Sequence, residues 1–299
     1  MLMSYLKLCQ NLDRVVLIYI VITKFILYKG YFVLFKQLYF TIMSNDNKSI
    51  HEFDFSLICE YFSSIERQGP GSPEITLKAL RYIDKFSSKS QILDIGCGTG
   101  GQTMIIAQNS NCKITGLDLF PLFIDKFNSN AKKLNLQNRV TGIVGSMDNI
   151  PFQNEAFDLL WSEGAIYNIG FNRGLNEWQK FLKVGGFIAV SEVSWFTDER
   201  PVEIETFWQD AYSEIDTISN KLEQMQNAGY IPVEAFKLPE NCWTEHFYIP
   251  QIKAQEHFLE KYAGNKTVEE LIANQRYEAQ MYEKYKEFYG YVFYIGKKA

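Results

Sequence analysis

The chain has 299 residues, enough for one large domain or two small ones, and its 46% hydrophobic and 22% charged content fits a globular protein with a sizeable core. A net charge of −5 without a long basic run argues against a nucleic-acid partner. Five scattered cysteines (Cys9, Cys59, Cys97, Cys112, Cys242) and the histidines His51, His246 and His257 show no metal-ligand spacing, so no metal and no disulfide framework are expected, and a cytoplasmic setting fits best.

Residues 1–42 differ from the rest of the chain. They carry Lys7, Arg14, Lys24, Lys29 and Lys36 against Asp13 alone, and they are strongly apolar from residue 15 to 40. Their central charge-free run, 15–23, is well short of the roughly 18–20 residues needed to span a bilayer, so no stable membrane insertion is expected. They lack Ala, Glu and Pro and are rich in residues with A/T-rich codons, as a translated upstream stretch would be. The reading is a non-native extension, with the protein starting at Met43 and one domain over 43–299; a weak membrane anchor is the alternative.

From residue 50 to 62 aromatic and aliphatic residues recur at helical spacing. The cluster Gln68-Gly69-Pro70-Gly71-Ser72-Pro73 is a turn, and Ser72 with Pro73 opens a helix towards Phe86. This N-terminal helical layer packs on the domain or covers a ligand, with Tyr61 and Arg67 nearest a site. An apolar strand at 92–95 runs into the loop Gly96-Cys97-Gly98-Thr99-Gly100-Gly101. Helices are predicted at 102–109, 121–134 and 172–182, and strands at 113–119, 140–144, 157–162 and 187–193, with a glycine turn at Gly185-Gly186. Further on, helices are predicted at 204–214, 219–228, 251–262 and 268–288, and strands at 233–238 and 291–297. Strands alternating with helices imply an α/β fold with a doubly wound sheet.

The glycine loop fits two grammars. Gly96, Gly98 and Gly101 satisfy G-x-G-x-x-G, with Asp118 as the acidic partner of a dinucleotide site. Alternatively, Leu93-Asp94-Ile95-Gly96-Cys97-Gly98-Thr99-Gly100 resembles motif I of class I S-adenosylmethionine (SAM) methyltransferases. Downstream segments favour the second. Asp118 ends the second strand where that family places its ribose-binding acid. Ser146-Met147-Asp148-Asn149-Ile150-Pro151-Phe152 with Phe157-Asp158 is similar to the family's D-A-x-x-L-P-F…F-D segment, and Leu182-Lys183-Val184-Gly185-Gly186 to its L-K-P-G-G turn. The flavour is that of small-molecule enzymes such as the ubiquinone and menaquinone C-methyltransferases.

The resemblance implies a Rossmann-like, seven-stranded, mostly parallel sheet with an antiparallel last strand. Added helices near 200–230 and 251–288 would form a lid with the N-terminal helix. It implies SAM as cofactor, bound by Asp94, Gly96, Gly98, Gly100, Asp118, Ser146, Met147 and Glu163, and a small-molecule acceptor. Ser146 stands where the family often has Asp; its hydroxyl can still accept from the adenine amino group. Asp94 and Glu163 supply negative charge near an ammonium and a sulfonium, although Asp94 could instead simply accept from loop N–H groups. If the acceptor must lose a proton, Glu163, Tyr167 and His246 are the candidate bases. Trp195, Phe196, Trp243, Phe247 and Tyr248 are either core or the wall of an apolar or aromatic acceptor pocket. An NAD(P)-dependent oxidoreductase and a non-catalytic SAM-binding protein are the rival readings; a homodimer is compatible with each.

Overall fold

The computed structural model describes residues 55–83 and 86–299, so the readings of residues 1–42 and of a start at Met43 lie outside the described residues. Five parallel strands carry the architecture: β1 (Gln91–Ile95), β2 (Lys113–Asp118), β3 (Val140–Val144), β4 (Phe157–Glu163) and β5 (Leu182–Trp195). The sheet continues through β8 (Tyr289–Lys298), antiparallel to both β5 and β7 (Tyr230–Lys237), in the order β3-β2-β1-β4-β5-β8-β7. β1 and β5 are buried on both faces because helices cover both sides, as parallel sheets require. The expected antiparallel final strand is present.

An eighth strand, β6 (Asp216–Thr217), pairs with Ser194 and Trp195 of β5 and has no counterpart among the predicted elements. Two residues carry no periodicity to read. The Gly185-Gly186 turn is also placed differently: β5 begins at Leu182 and the two glycines lie within it, where the register against β4 shifts. Gly185 takes φ 75°, and a Cβ on Gly186 would stand 2.9 Å from the Lys183 carbonyl oxygen, so the pair forms a bulge in a continuous strand.

Helices α1 (Phe55–Ser63) and α2 (Pro73–Leu80) precede the sheet. As predicted, Ser72 caps α2, accepting from Ile75 N at 3.3 Å, and Pro73 is its first residue. The crossover helices α3 (Gly101–Gln108), α4 (Pro121–Lys133) and α5 (Phe171–Trp178) link the parallel strands. Next come α6 (Val202–Ala211), α7 (Ile218–Asn227), α8 (Ile249–Lys261) and α9 (Lys266–Tyr285). Of the expected lid helices, α7 packs instead on β7, β5 and β8 beside α5, as part of the sheet's own helical layer. The added layer is formed by α1, α8 and α9. Tyr61 donates to Gln251 Oε1 at 2.9 Å, and Glu60 accepts from Lys261 and Tyr262, each at 2.7 Å, joining α1 to α8. Tyr61 is thereby core packing within this layer rather than a site residue.

Candidate functional site

The carboxyl ends of β1, β2, β3, β4 and β5 share one edge of the sheet, and the strand order reverses between β1 and β4. In open α/β sheets the ligand crevice forms outside such a switch point. There Gly96, Gly98 and Gly100 adopt φ of 70°, 54° and 87°. A Cβ on Gly96 would lie 2.4 Å from Ala165 Cβ, and one on Gly98 would lie 2.4 Å from Gln68 Oε1. Both conformation and space therefore require glycine at these two positions.

The loop's amides face inward. Gly96 and Cys97 donate to Leu117 O at 2.8 and 3.1 Å, Gly98 to Asp118 Oδ2 at 2.9 Å, Thr99 to Gln68 Oε1 at 3.0 Å and Gly100 to Cys97 O at 3.0 Å. Few donors are left for a pyrophosphate, which a dinucleotide site would need.

Asp94 is fully buried at the end of β1. Its Oδ2 accepts from Thr103 Oγ1 and from Gln102 Nε2 at 3.0 Å, while Oδ1 has no partner. The loop N–H groups expected to satisfy it go elsewhere, and the side chains of α3's first turn take their place. Burial lifts its carboxyl to about 7, with the charges of Glu163 and Asp118 adding to the rise and the bonds from Thr103 and Gln102 opposing it. An unpartnered buried carboxylate oxygen is what a cationic ligand group would satisfy. Asp118, at the end of β2, accepts from Gly98 N through Oδ2 and from Phe120 N through Oδ1 at 3.1 Å. Burial raises its carboxyl, against those backbone bonds. Each oxygen keeps a second lone pair, enough for a pair of hydroxyl donors.

Glu163 ends β4 and is not a free carboxylate. Its Oε1 accepts from Thr76 Oγ1 at 2.7 Å and Trp161 Nε1 at 3.0 Å, and its Oε2 pairs with Arg67, the two side chains being 4% and 9% exposed. Of its four lone pairs only one, on Oε2, is left. Arg67 and Thr76 instead make Glu163 the anchor of the 62–76 strap. The strap also grips the loop through Gln68, whose Nε2 donates to Phe62 O at 3.0 Å and Ile65 O at 3.1 Å. Gly71 N donates to Cys242 O at 3.3 Å, bringing the segment before α8 to the same edge.

Tyr167 lies buried in a 3-10 turn at Ile166–Asn168, its ring 6.0 Å from that of Tyr212. His246 is half-buried in a π-helical turn, Thr244–Tyr248, within electrostatic reach of Glu74 in α2. Ser146 Oγ accepts from Asp148 N at 3.2 Å beyond β3, and Met147 Cε lies 3.3 Å from where a Gly96 Cβ would be. Met147 thus borders the loop. Trp195, Trp243 and Phe247 are core, while Phe196 and Tyr248 are partly exposed. Sequence reasoning missed Gln68, Thr76, Gln102 and Thr103. The last two directly follow the loop and could have been read as partners for Asp94; nothing local marks Gln68, which acts 31 residues away. Among the described residues, no group of three or more His, Cys, Asp or Glu could hold a metal ion, and no helix is long and apolar enough to cross a membrane.

Residues 86–275 match the family described as a methyltransferase domain. The chain belongs to that family. Among curated relatives, it is 32% identical to the sterol 24-C-methyltransferase of Candida albicans over 114 residues, covering 38% of this chain and 30% of that one. It is 28% identical to the carboxy-S-adenosyl-L-methionine synthase of Photorhabdus laumondii over 174 residues, covering 54% and 69%. The chain thus spans about a third of the length of the first of these. A SAM-dependent methyltransferase of Geobacter sulfurreducens, solved with S-adenosylhomocysteine, superposes with a TM-score of 0.71 at 20% identity, covering 82% of this chain and 98% of that one. The match supports the Rossmann-like methyltransferase fold, whose sheet here has eight strands among the described residues.

Proposed function

We propose that this methyltransferase-family chain binds SAM at the β1–β4 switch point and transfers its methyl group to a small-molecule acceptor. The observation that carries the reading is the pair of carboxylates, Asp94 buried and Asp118 half-buried, flanking an amide-poor glycine loop. Asp94 offers an unpartnered oxygen to the ammonium of the methionine end, and Asp118 has the lone pairs for both ribose hydroxyls. Gly96, Gly98 and Gly100 leave room for close approach, with Ser146 and Met147 on the adenine side. The bound cofactor supplies an electrophilic methyl on a sulfonium; the protein's share is alignment and exclusion of water.

Glu163 belongs to the cofactor side as the anchor for Arg67 and Thr76, closing the strap over the loop. Tyr167 and His246 are the candidate bases on the acceptor side. The inward-turned loop amides and the carboxylate at Asp94 weigh against the oxidoreductase alternative. The acidic net charge and buried thiols support a cytoplasmic enzyme without a nucleic-acid partner; sedimentation would test whether it works as a homodimer. The experiment is incubation of the full chain with SAM and fractionated metabolites, reading S-adenosylhomocysteine release. Release with one fraction supports the reading; SAM binding without release from any fraction would make the chain a non-catalytic SAM binder.

A further inference from the structure

Asp94 Oδ1, the oxygen offered to the cofactor's ammonium, is sealed in the folded chain: Asp94 is fully buried, Thr99 is 2% exposed and the side chain of Glu163 4%. A ligand the size of SAM reaches it only if a covering element moves. The floor is tied down, since the amides of Gly96, Cys97, Gly98 and Gly100 all donate within the sheet and the loop. The strap from Ser64 to Ser72 is held differently. It contains no helix or strand, and among the described residues Gly71 N is its only amide beyond Ile65 that donates to another backbone group. Segments with so few backbone bonds open at lower free energy than the core around them.

Side chains hold the strap at two places. Over the loop, Gln68 Oε1 accepts from Thr99 N at 3.0 Å and Glu66 O accepts from Thr99 Oγ1 at 3.3 Å. A Cβ on Gly101 would lie 3.2 Å from Glu66 O and 3.4 Å from Arg67 Cγ, so the strap rests on the first turn of α3. Over the end of β4, Arg67 pairs with Glu163, and Thr76, just past the strap in α2, donates to the same carboxylate at 2.7 Å. The chain folds back onto that pair: a Cβ on Gly71 would lie 3.1 Å from both Arg67 Cζ and Glu163 Oε2. Gly71 N then reaches Cys242 O at 3.3 Å. Arg67 and Gln68, adjacent in sequence, hold opposite sides of the switch point, so release on one side displaces the other. At Gly69 a Cβ would meet nothing within 4 Å, which leaves the turn room to swing.

We propose that Ser64–Ser72 is a gate that opens and closes as one unit, and that SAM and S-adenosylhomocysteine enter and leave the crevice through its opening. The proposal rests on the SAM reading of the glycine loop. Closed, the gate keeps water from the transfer site. Open, it frees Thr99 and Glu163 together and parts from the segment before α8.

Amide hydrogen exchange of the full chain, resolved by residue, tests the gate. Gly71 N and Thr99 N should exchange at least about tenfold faster than Gly96 N, with one shared opening free energy. Thr76→Val removes a bond to Glu163 and should speed exchange about tenfold at Thr99 as well as at Gly71, leaving Gly96 unchanged. Gln68→Ala removes the grip on the loop and should speed exchange at Gly71, on the Glu163 side, by a similar factor. The dissociation rate of S-adenosylhomocysteine, followed by stopped-flow tryptophan fluorescence, should rise by the same factor in each variant. Different opening free energies at Gly71 and Thr99 in the unaltered chain overturn the proposal. So do effects confined to the amide beside the altered side chain, or dissociation that stays constant while exchange accelerates. Should one variant not fold, the other decides. Absence of S-adenosylhomocysteine binding in the unaltered chain would overturn the SAM reading and the route with it, whereas a shared opening seen by exchange would stand.

Discussion

Asp94 should make the ligand-free protein less stable as pH rises, the reverse of ordinary carboxylate behaviour. Its carboxyl stands at about 7 in the fold, chiefly through burial, and near 3.9 in an unfolded chain. Between those values the folded state holds the proton and the unfolded state does not, so stability falls with increasing pH. The loss is absent below about pH 4 and complete above about pH 7, where it reaches about 4 kcal/mol. Between about pH 5.5 and 8.5 the remaining part is about 2 kcal/mol. Urea unfolding of the unaltered chain and of Asp94→Asn across that range isolates this group, because every other titration is shared. The difference in stability should move by about 2 kcal/mol in favour of Asn as pH rises. A difference that is flat, or that moves towards Asp, would refute the account of a buried carboxylate with one unpartnered oxygen. SAM should reverse the penalty, since its ammonium favours ionised Asp94; its binding should release a proton near pH 6–7, visible as a buffer-dependent heat.

Contacts elsewhere in the fold give three further expected outcomes. Arg67→Ala leaves Glu163 buried without its cation and should cost about 3 kcal/mol in urea unfolding, with a weaker SAM titration; unchanged values would mean that the strap is not latched there. Gly98→Ala forces a Cβ against Gln68 at φ 54° and should cost roughly 1–3 kcal/mol, together with lower SAM affinity, by denaturation and calorimetry. Lys221 and Glu192 form an ion pair at 3.2 Å with both side chains fully buried, so Lys221→Met should lose about 3–5 kcal/mol. Adding Glu192→Leu should recover most of that loss; no recovery would place the cost in packing instead.

The sheet and the site's floor were legible because they depend on local signals. Apolar strands ending at Asp94, Asp118 and Glu163 announce a crevice edge, and glycines at positive φ announce a tight loop. β6 was not legible because two residues have no period, and Gly185-Gly186 read as a terminator although it bulges a continuous strand. The roles of Asp94 and Glu163 depend on partners from α2, α3 and the strap, whose positions only the folded chain sets. Gln68 lay in a turn legible for its Gly-Pro-Gly path, yet its grip on Thr99 is a long-range contact without sequence signature. Likewise the aromatic residues near 243–248 read equally as core or pocket. Only burial in the folded chain distinguishes the two, and it puts Trp243 and Phe247 in the core.

The central claim is that the β1–β4 crevice is a SAM site with Asp118 holding the ribose, and calorimetric titration of the full chain tests it most directly. The account predicts that SAM binds at one site per chain, that NADH does not bind, and that Asp118→Ala weakens SAM by roughly 1.5–3 kcal/mol through lost charged hydrogen bonds. NADH binding in place of SAM, or SAM affinity unchanged in Asp118→Ala, would contradict it.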